Sequence, residues 1–187
     1  MNIRTFIAIE IDKDIKDKLS EFINKIKKTD ADVKWVAPEN IHLTLKFIGY
    51  IEENVIPDLN KIIKDAIFNL SSFDIDIENV GAFPNLKKPR VVFVCVQDKG
   101  DTLLKIYEKL NRGVEKLGIK PDSKKFAGHI TLGRIKSQKN LSRLANALNS
   151  DTECFFGREK VNHISLMQSN LTPGGPIYER LNTFKLD

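Results

Sequence analysis

The chain has 187 residues, with 30 basic against 25 acidic side chains and a formal charge of +5, for a sequence pI near 9.1. With 41% hydrophobic and 29% charged residues it is neither disordered nor fibrous, and its length suits one domain, or two fused lobes, whose core needs no disulfide or metal staple. The longest apolar runs, Val91 to Val96 and Phe6 to Ile9, are strand-sized, and Glu10 and Asp12 cut short any secretion signal after Arg4, so a soluble, cytoplasmic protein without a membrane partner is expected.

Ile3 to Glu10 is rich in β-formers and predicts a strand. Ile15, Leu19, Phe22, Ile23 and Ile26 recur at helical spacing and predict a helix over Asp12 to Lys28, with Asp12 or Asp14 as cap. Pro38 and Glu39 precede a second strand, Ile41 to Ile48, which Gly49 should end. A helix over Glu53 to Asn69 follows on Ile56, Leu59, Ile63 and Ala66. Phe73, Ile75 and Ile77 alternate with acidic residues, the pattern of a half-exposed strand.

The same order then returns. Val91 to Val96 predicts a strand, Asp101 to Leu117 a helix, His129 to Ile135 a strand, Leu141 to Leu148 a short helix and Val161 to Met167 a strand. An offset of 87 residues relates Phe6 to Phe93 and His42 to His129, and one of 86 relates Ile75 to Val161. The expectation is a single domain, 1–187, with an internal duplication over approximately 3–80 and 90–167. The tail from Cys154 adds strand material, with a turn at Pro173 to Pro176 before Tyr178 to Phe184.

The matching strands carry His42-Leu43-Thr44-Leu45 and His129-Ile130-Thr131-Leu132. Residues two apart on a strand share a face, so each strand offers an imidazole beside a hydroxyl. Only eight Thr occur in the chain, yet two of its three histidines have one at the second position on. Either motif alone would read as a strand histidine bonded in place. At equivalent points of a doubled unit they would meet across one cleft, where a neutral imidazole takes a proton and an imidazolium gives one. That pair suits an in-line displacement at phosphorus, and Thr44 and Thr131 would donate to its non-bridging oxygens. No third His or carboxylate stands at ligand spacing from either motif, and Cys95 and Cys154 are too far apart in sequence for a redox pair or zinc knuckle, so neither metal nor cofactor is expected.

These motifs, with Arg4-Thr-Phe-Ile-Ala-Ile9, Trp35-Val36, Glu39 to Gly49, Phe83-Pro84, Pro89-Arg90-Val91, Phe126 to Arg134, Ser169-Asn-Leu171, Gly174 and Tyr178, resemble the 2H phosphoesterase superfamily. Within it the chain is similar to the RNA 2′,3′-cyclic phosphodiesterases, also called 2′-5′ RNA ligases. The resemblance implies an α+β, bilobal fold: two pseudo-symmetric antiparallel sheets with helices outside and a central groove, each lobe mixing segments from both ends of the chain. It implies a monomer acting on RNA ends or small cyclic nucleotides, with His42 as proton donor to the 3′ oxygen and His129 as acceptor from water, giving a 2′-phosphate. Ligation of a cyclic phosphate to a 5′-hydroxyl is the same chemistry reversed, and a non-catalytic RNA-binding module is the alternative of another class. Gly128, where many members have Pro, is expected to loosen the entry to the second motif.

Weaker candidates surround the motifs. Arg134 could stack on a base or bind phosphate, although strict alternation from His129 turns it to the other face unless a bulge lies near Gly133. Phe6 could stack on a base or simply fill the core. His163, heading His-Ile-Ser165, reads more simply as a sheet residue. Lys87-Lys88-Pro89-Arg90 and Lys124-Lys125 could guide an RNA backbone or be solvated loop bases.

Overall fold

Strand and helix alternate because the apolar period does, switching between two residues and about 3.6 along the chain. The computed structural model describes residues 1–123 and 125–187. In order, β1 (Asn2–Glu10), α1 (Lys13–Lys27), β2 (Val33–Trp35), β3 (His42–Glu52), α2 (Ile56–Ile67), β4 (Phe73–Phe83) and β5 (Val91–Gln97) are followed by α3 (Thr102–Glu115), β6 (His129–Ile135), α4 (Leu141–Ser150), β7 (Phe155–Val161), β8 (His163–Thr172) and β9 (Gly175–Lys185). The strands form two antiparallel sheets, ordered β3-β1-β8-β9 and β2-β6-β5-β4-β7.

Three consecutive strands in each sheet correspond: β3-β1-β8 in one, β6-β5-β4 in the other. Each half of the chain therefore gives its first two long strands to one sheet and its last to the other. The helices also divide across the halves, α2 and α3 packing together and against β9 and β3, while α1 packs on β7 and α4. Ile15, Leu19, Phe22, Ile23 and Ile26 are the buried stripe of α1, and Leu103, Ile106, Tyr107, Leu110 and Val114 that of α3. One continuous apolar core joins both layers. Among the described residues no helix is long and apolar enough to cross a membrane.

Several boundaries differ from the sequence expectation. Gly49 does not end β3: with φ at +91° it occupies a conformation side chains rarely adopt, and the strand bulges and runs on to Glu52, paired with Asn2. The short β2, at Val33 to Trp35, was not anticipated, since three residues carry no period. The expected strand over Val161 to Met167 is two strands. Val161 ends β7 opposite Phe73 in one sheet, and His163 opens β8 opposite Lys185 in the other, so the 86-residue match of Ile75 to Val161 joins strands that do not correspond. Asn162 alone separates the two strands, and no Gly or Pro marks the crossing for a sequence argument.

Candidate active site

The two His-x-Thr strands line one cavity of about 520 Å³. His42 and Thr44 come from β3, His129 and Thr131 from β6. Phe6 and Arg4 of β1, Lys34 and Trp35 of β2, Arg134 of β6 and Tyr178 of β9 complete much of its wall. Three cationic side chains against the single carboxylate of Glu39 give the cavity a bias toward an anion.

Both rings are held in the same way. His42 Nδ1 lies 2.7 Å from the carbonyl of Asn40, and His129 Nδ1 lies 2.8 Å from that of Ala127, positions again 87 apart. A carbonyl can only accept, so each Nδ1 carries its proton and each Nε2 is the nitrogen left for chemistry. His42 Nε2 stands 2.9 Å from Thr44 Oγ1, which donates to it when the ring is neutral. Burial pushes the His42 pKa below its ordinary value; the Asn40 carbonyl opposes this, Lys16 adds to it and Glu10 opposes it.

Aromatic rings back both imidazoles. His42 has Phe6 at 4.9 Å and the edge of Tyr178 at 5.2 Å. His129 has Phe83 at 5.2 Å and Phe93 at 5.4 Å. Phe6 and Phe93, related by the same offset, serve the two histidines alike. Phe6 is buried, as a core residue would be, yet it packs with Ala8, Met167 and Tyr178 in a small cluster on the cavity side rather than in the main core.

The bulge that Arg134 needs is present. Thr131 pairs with Phe93 and Gly133 with Val92, leaving Leu132 as the extra residue, and Arg134 joins His129 and Thr131 on the cavity wall. Leu45 is bulged at the equivalent point of β3. Gly128 does not loosen the strand entry: its backbone lies so close to Val96 that a Cβ would fall 2.7 Å from the Val96 carbonyl oxygen. His163 lies off the cavity, its Nδ1 bonded to Asn162 Oδ1 at 2.6 Å. Lys87, Lys88, Arg90 and Lys125 do not line it either, and Lys124 lies outside the described residues. Both cysteines are free, half-buried thiols. Among the described residues, no three His, Cys, Asp or Glu side chains gather as metal ligands would.

Sequence reasoning passed over Arg4, Asn40, Phe47 and Tyr178 as site residues. Arg4 donates to Ser169 Oγ at 2.9 Å and lies 4.6 Å over the half-exposed Phe47 ring. Asn40 holds His42 with its carbonyl and the β8–β9 turn with its amide, 2.9 Å from the Pro176 oxygen. Their contacts run mostly between residues far apart in the chain, on neighbouring strands and loops of the four-stranded sheet, which no local pattern encodes.

The family model described as LigT like Phosphoesterase matches this chain twice, over residues 9–93 and 94–178. The chain belongs to that phosphoesterase family. The "RNA 2′,3′-cyclic phosphodiesterase" of Methanothermobacter thermautotrophicus is 33% identical over 186 residues, covering all of both chains. One of the same name from Archaeoglobus fulgidus is 37% identical over 97% of this chain and 99% of its own. A crystal structure of a Thermus thermophilus protein superposes with a TM-score of 0.82 at 30% identity, covering 98% of each chain. The fold of this phosphoesterase is thus that of its solved relatives, two antiparallel sheets facing across the groove that holds the histidines.

Proposed function

We propose that the chain opens terminal 2′,3′-cyclic phosphates on RNA to 2′-phosphates, using His42 and His129 as a metal-independent acid–base pair. The observation that carries this reading is the matched tethering: two imidazoles, each with Nδ1 occupied by a carbonyl, present their remaining nitrogens to one cationic cavity. The names of the relatives support the substrate class. Water attacks phosphorus and gives its proton to one Nε2; the bond from phosphorus to O3′ breaks, and the other Nε2 protonates O3′. Thr44 and Thr131 donate to the non-bridging oxygens, and Arg134 and Phe6 hold the terminal nucleotide. Everything required comes from one chain, so a monomer suffices, and its two halves are an internal duplication.

His42 is assigned as the donor and His129 as the acceptor. Burial favours neutral His42 in the free site, and the phosphate anion reverses that bias by drawing a proton onto the ring beside it. The same lowered pKa favours one competing reading, in which His42 is the base and His129 the acid. An oligonucleotide with a 2′,3′-cyclic phosphate, incubated with enzyme and chelator, should yield a 2′-phosphate. His42→Ala and His129→Ala should each lose at least about 10²-fold in rate. Replacing O3′ by sulfur, a leaving group that needs little protonation, should restore much of the rate to His42→Ala alone. Rescue of His129→Ala instead establishes the reversed roles, and undiminished turnover in either variant or a strict metal requirement sinks the mechanism.

A further inference from the structure

Lys46 stands two residues beyond Thr44 on β3 and is only 1% exposed. Its neighbour across β1 is Ile7, itself fully buried, so the lysine extends on the core face rather than into the cavity. Its ammonium meets the carboxylate of Asp122 at 2.7 Å, but among the described residues nothing takes a well-formed hydrogen bond from it. A buried ammonium is costly unless a partner is held against it, and an apolar side chain of similar volume would commonly serve stability as well or better. The residue 87 positions on is Gly133, whose missing side chain leaves room for Val33 and Trp35. The paired architecture therefore does not require a lysine at this point of the strand.

The partner side of the ion pair leads to the second motif. Asp122 lies in the connection between α3 and β6, its backbone N–H bonded to Asn111 Oδ1 at 2.9 Å. Burial pushes the Tyr107 phenol pKa up, and the Asp122 carboxylate beside it pushes it further. The Tyr107 ring stacks on Phe126 with centroids 4.7 Å apart. The residue after Phe126 is Ala127, whose carbonyl holds His129 Nδ1. A run of contacts thus joins the strand of the first histidine to the tether of the second.

We propose that Lys46 is a positioning residue for His129: its charge draws in Asp122, which with Tyr107 and Phe126 sets the Ala127 carbonyl that orients the catalytic ring. The inference rests on the acid–base reading above, because a ring held for proton transfer must be placed to within a fraction of an ångström. Lys46 touches neither substrate nor reacting atoms.

The test compares the full-length wild type with Lys46→Met, Asp122→Asn and the double variant, on a dinucleotide ending in a 2′,3′-cyclic phosphate. For Lys46→Met we expect kcat to fall about 10- to 10²-fold while KM stays within about twofold. We also expect a shifted or broadened His129 Nδ1–H resonance in the free protein. The double variant should be at least as heat-stable as the wild type, since both charges are gone, yet no more active than Lys46→Met. A stable double variant with wild-type kcat and an unchanged His129 resonance overturns the proposal, because the pair is then merely structural. Should Lys46→Met not fold, Asp122→Asn decides by the same two readouts. If the wild type itself opens no cyclic phosphate, the functional reading fails, and the resonance, recorded without substrate, still decides the positioning role.

Discussion

His42 is enclosed by Phe6, Tyr178 and its own Thr44, and that enclosure has a thermodynamic consequence. Burial lowers the folded-state pKa below the ordinary 6.5, so between those two values the unfolded chain binds more protons than the folded one. Stability from keeping this ring neutral is complete above about pH 6.5 and is lost as pH falls toward the folded pKa. Melting temperature measured from pH 7.5 to 5 should therefore decline more steeply in the wild type than in His42→Asn; parallel curves would contradict the buried-neutral assignment. The motif itself was legible at this scale, because His and Thr two apart on a strand must share a face. The tautomer was not, since the Asn40 and Ala127 carbonyls reach Nδ1 through backbone geometry that residue types do not specify. Phe6 shows the limit well: core filling and a place beside the motifs looked like alternatives, and the buried ring also lines the cavity next to His42.

At the scale of elements, the bulges at Leu45 and Leu132 decide what the cavity can hold. Without the second of these, Arg134 would lie on the face away from His129. Behind that bulge, Gly133 lets β2 approach β6: a Cβ there would come within 2.7 Å of the Trp35 ring and of Val33. Gly133→Ala should consequently cost about 1–3 kcal/mol in urea unfolding. It should also raise KM for the cyclic-phosphate substrate, because β2 carries Lys34 and Trp35 of the wall. An alanine variant as stable as the wild type would show that β2 is held elsewhere. Helices were the most legible elements, their apolar stripes persisting over three or four turns. The least legible were β2, too short for a period, and the join of β7 and β8, where the single residue Asn162 separates strands of different sheets.

On the scale of the molecule, the exchange of last strands makes neither half complete. Residues 1–88 hold β1 and β3 of one sheet but also β2 and β4, which belong to the other. Expressed alone, 1–88 and 89–187 should each lack the dispersed amide spectrum of a folded domain. Mixed, they should recover it, because the cut falls in the connection between β4 and β5 and leaves every sheet pairing intact. Independent folding of 1–88 would refute the interdependence of the lobes.

The amino-acid sequence on its own determined the element types, the near-constant offset between halves and the identity of the four His and Thr side chains, because each depends on periodicity or on residues close along the chain. Which strands share a sheet, where each bulge falls, and how Lys46 reaches Asp122 or Arg4 reaches Phe47 were decided only by the tertiary structure. Those contacts depend on which segment, distant in sequence, arrives at the same place.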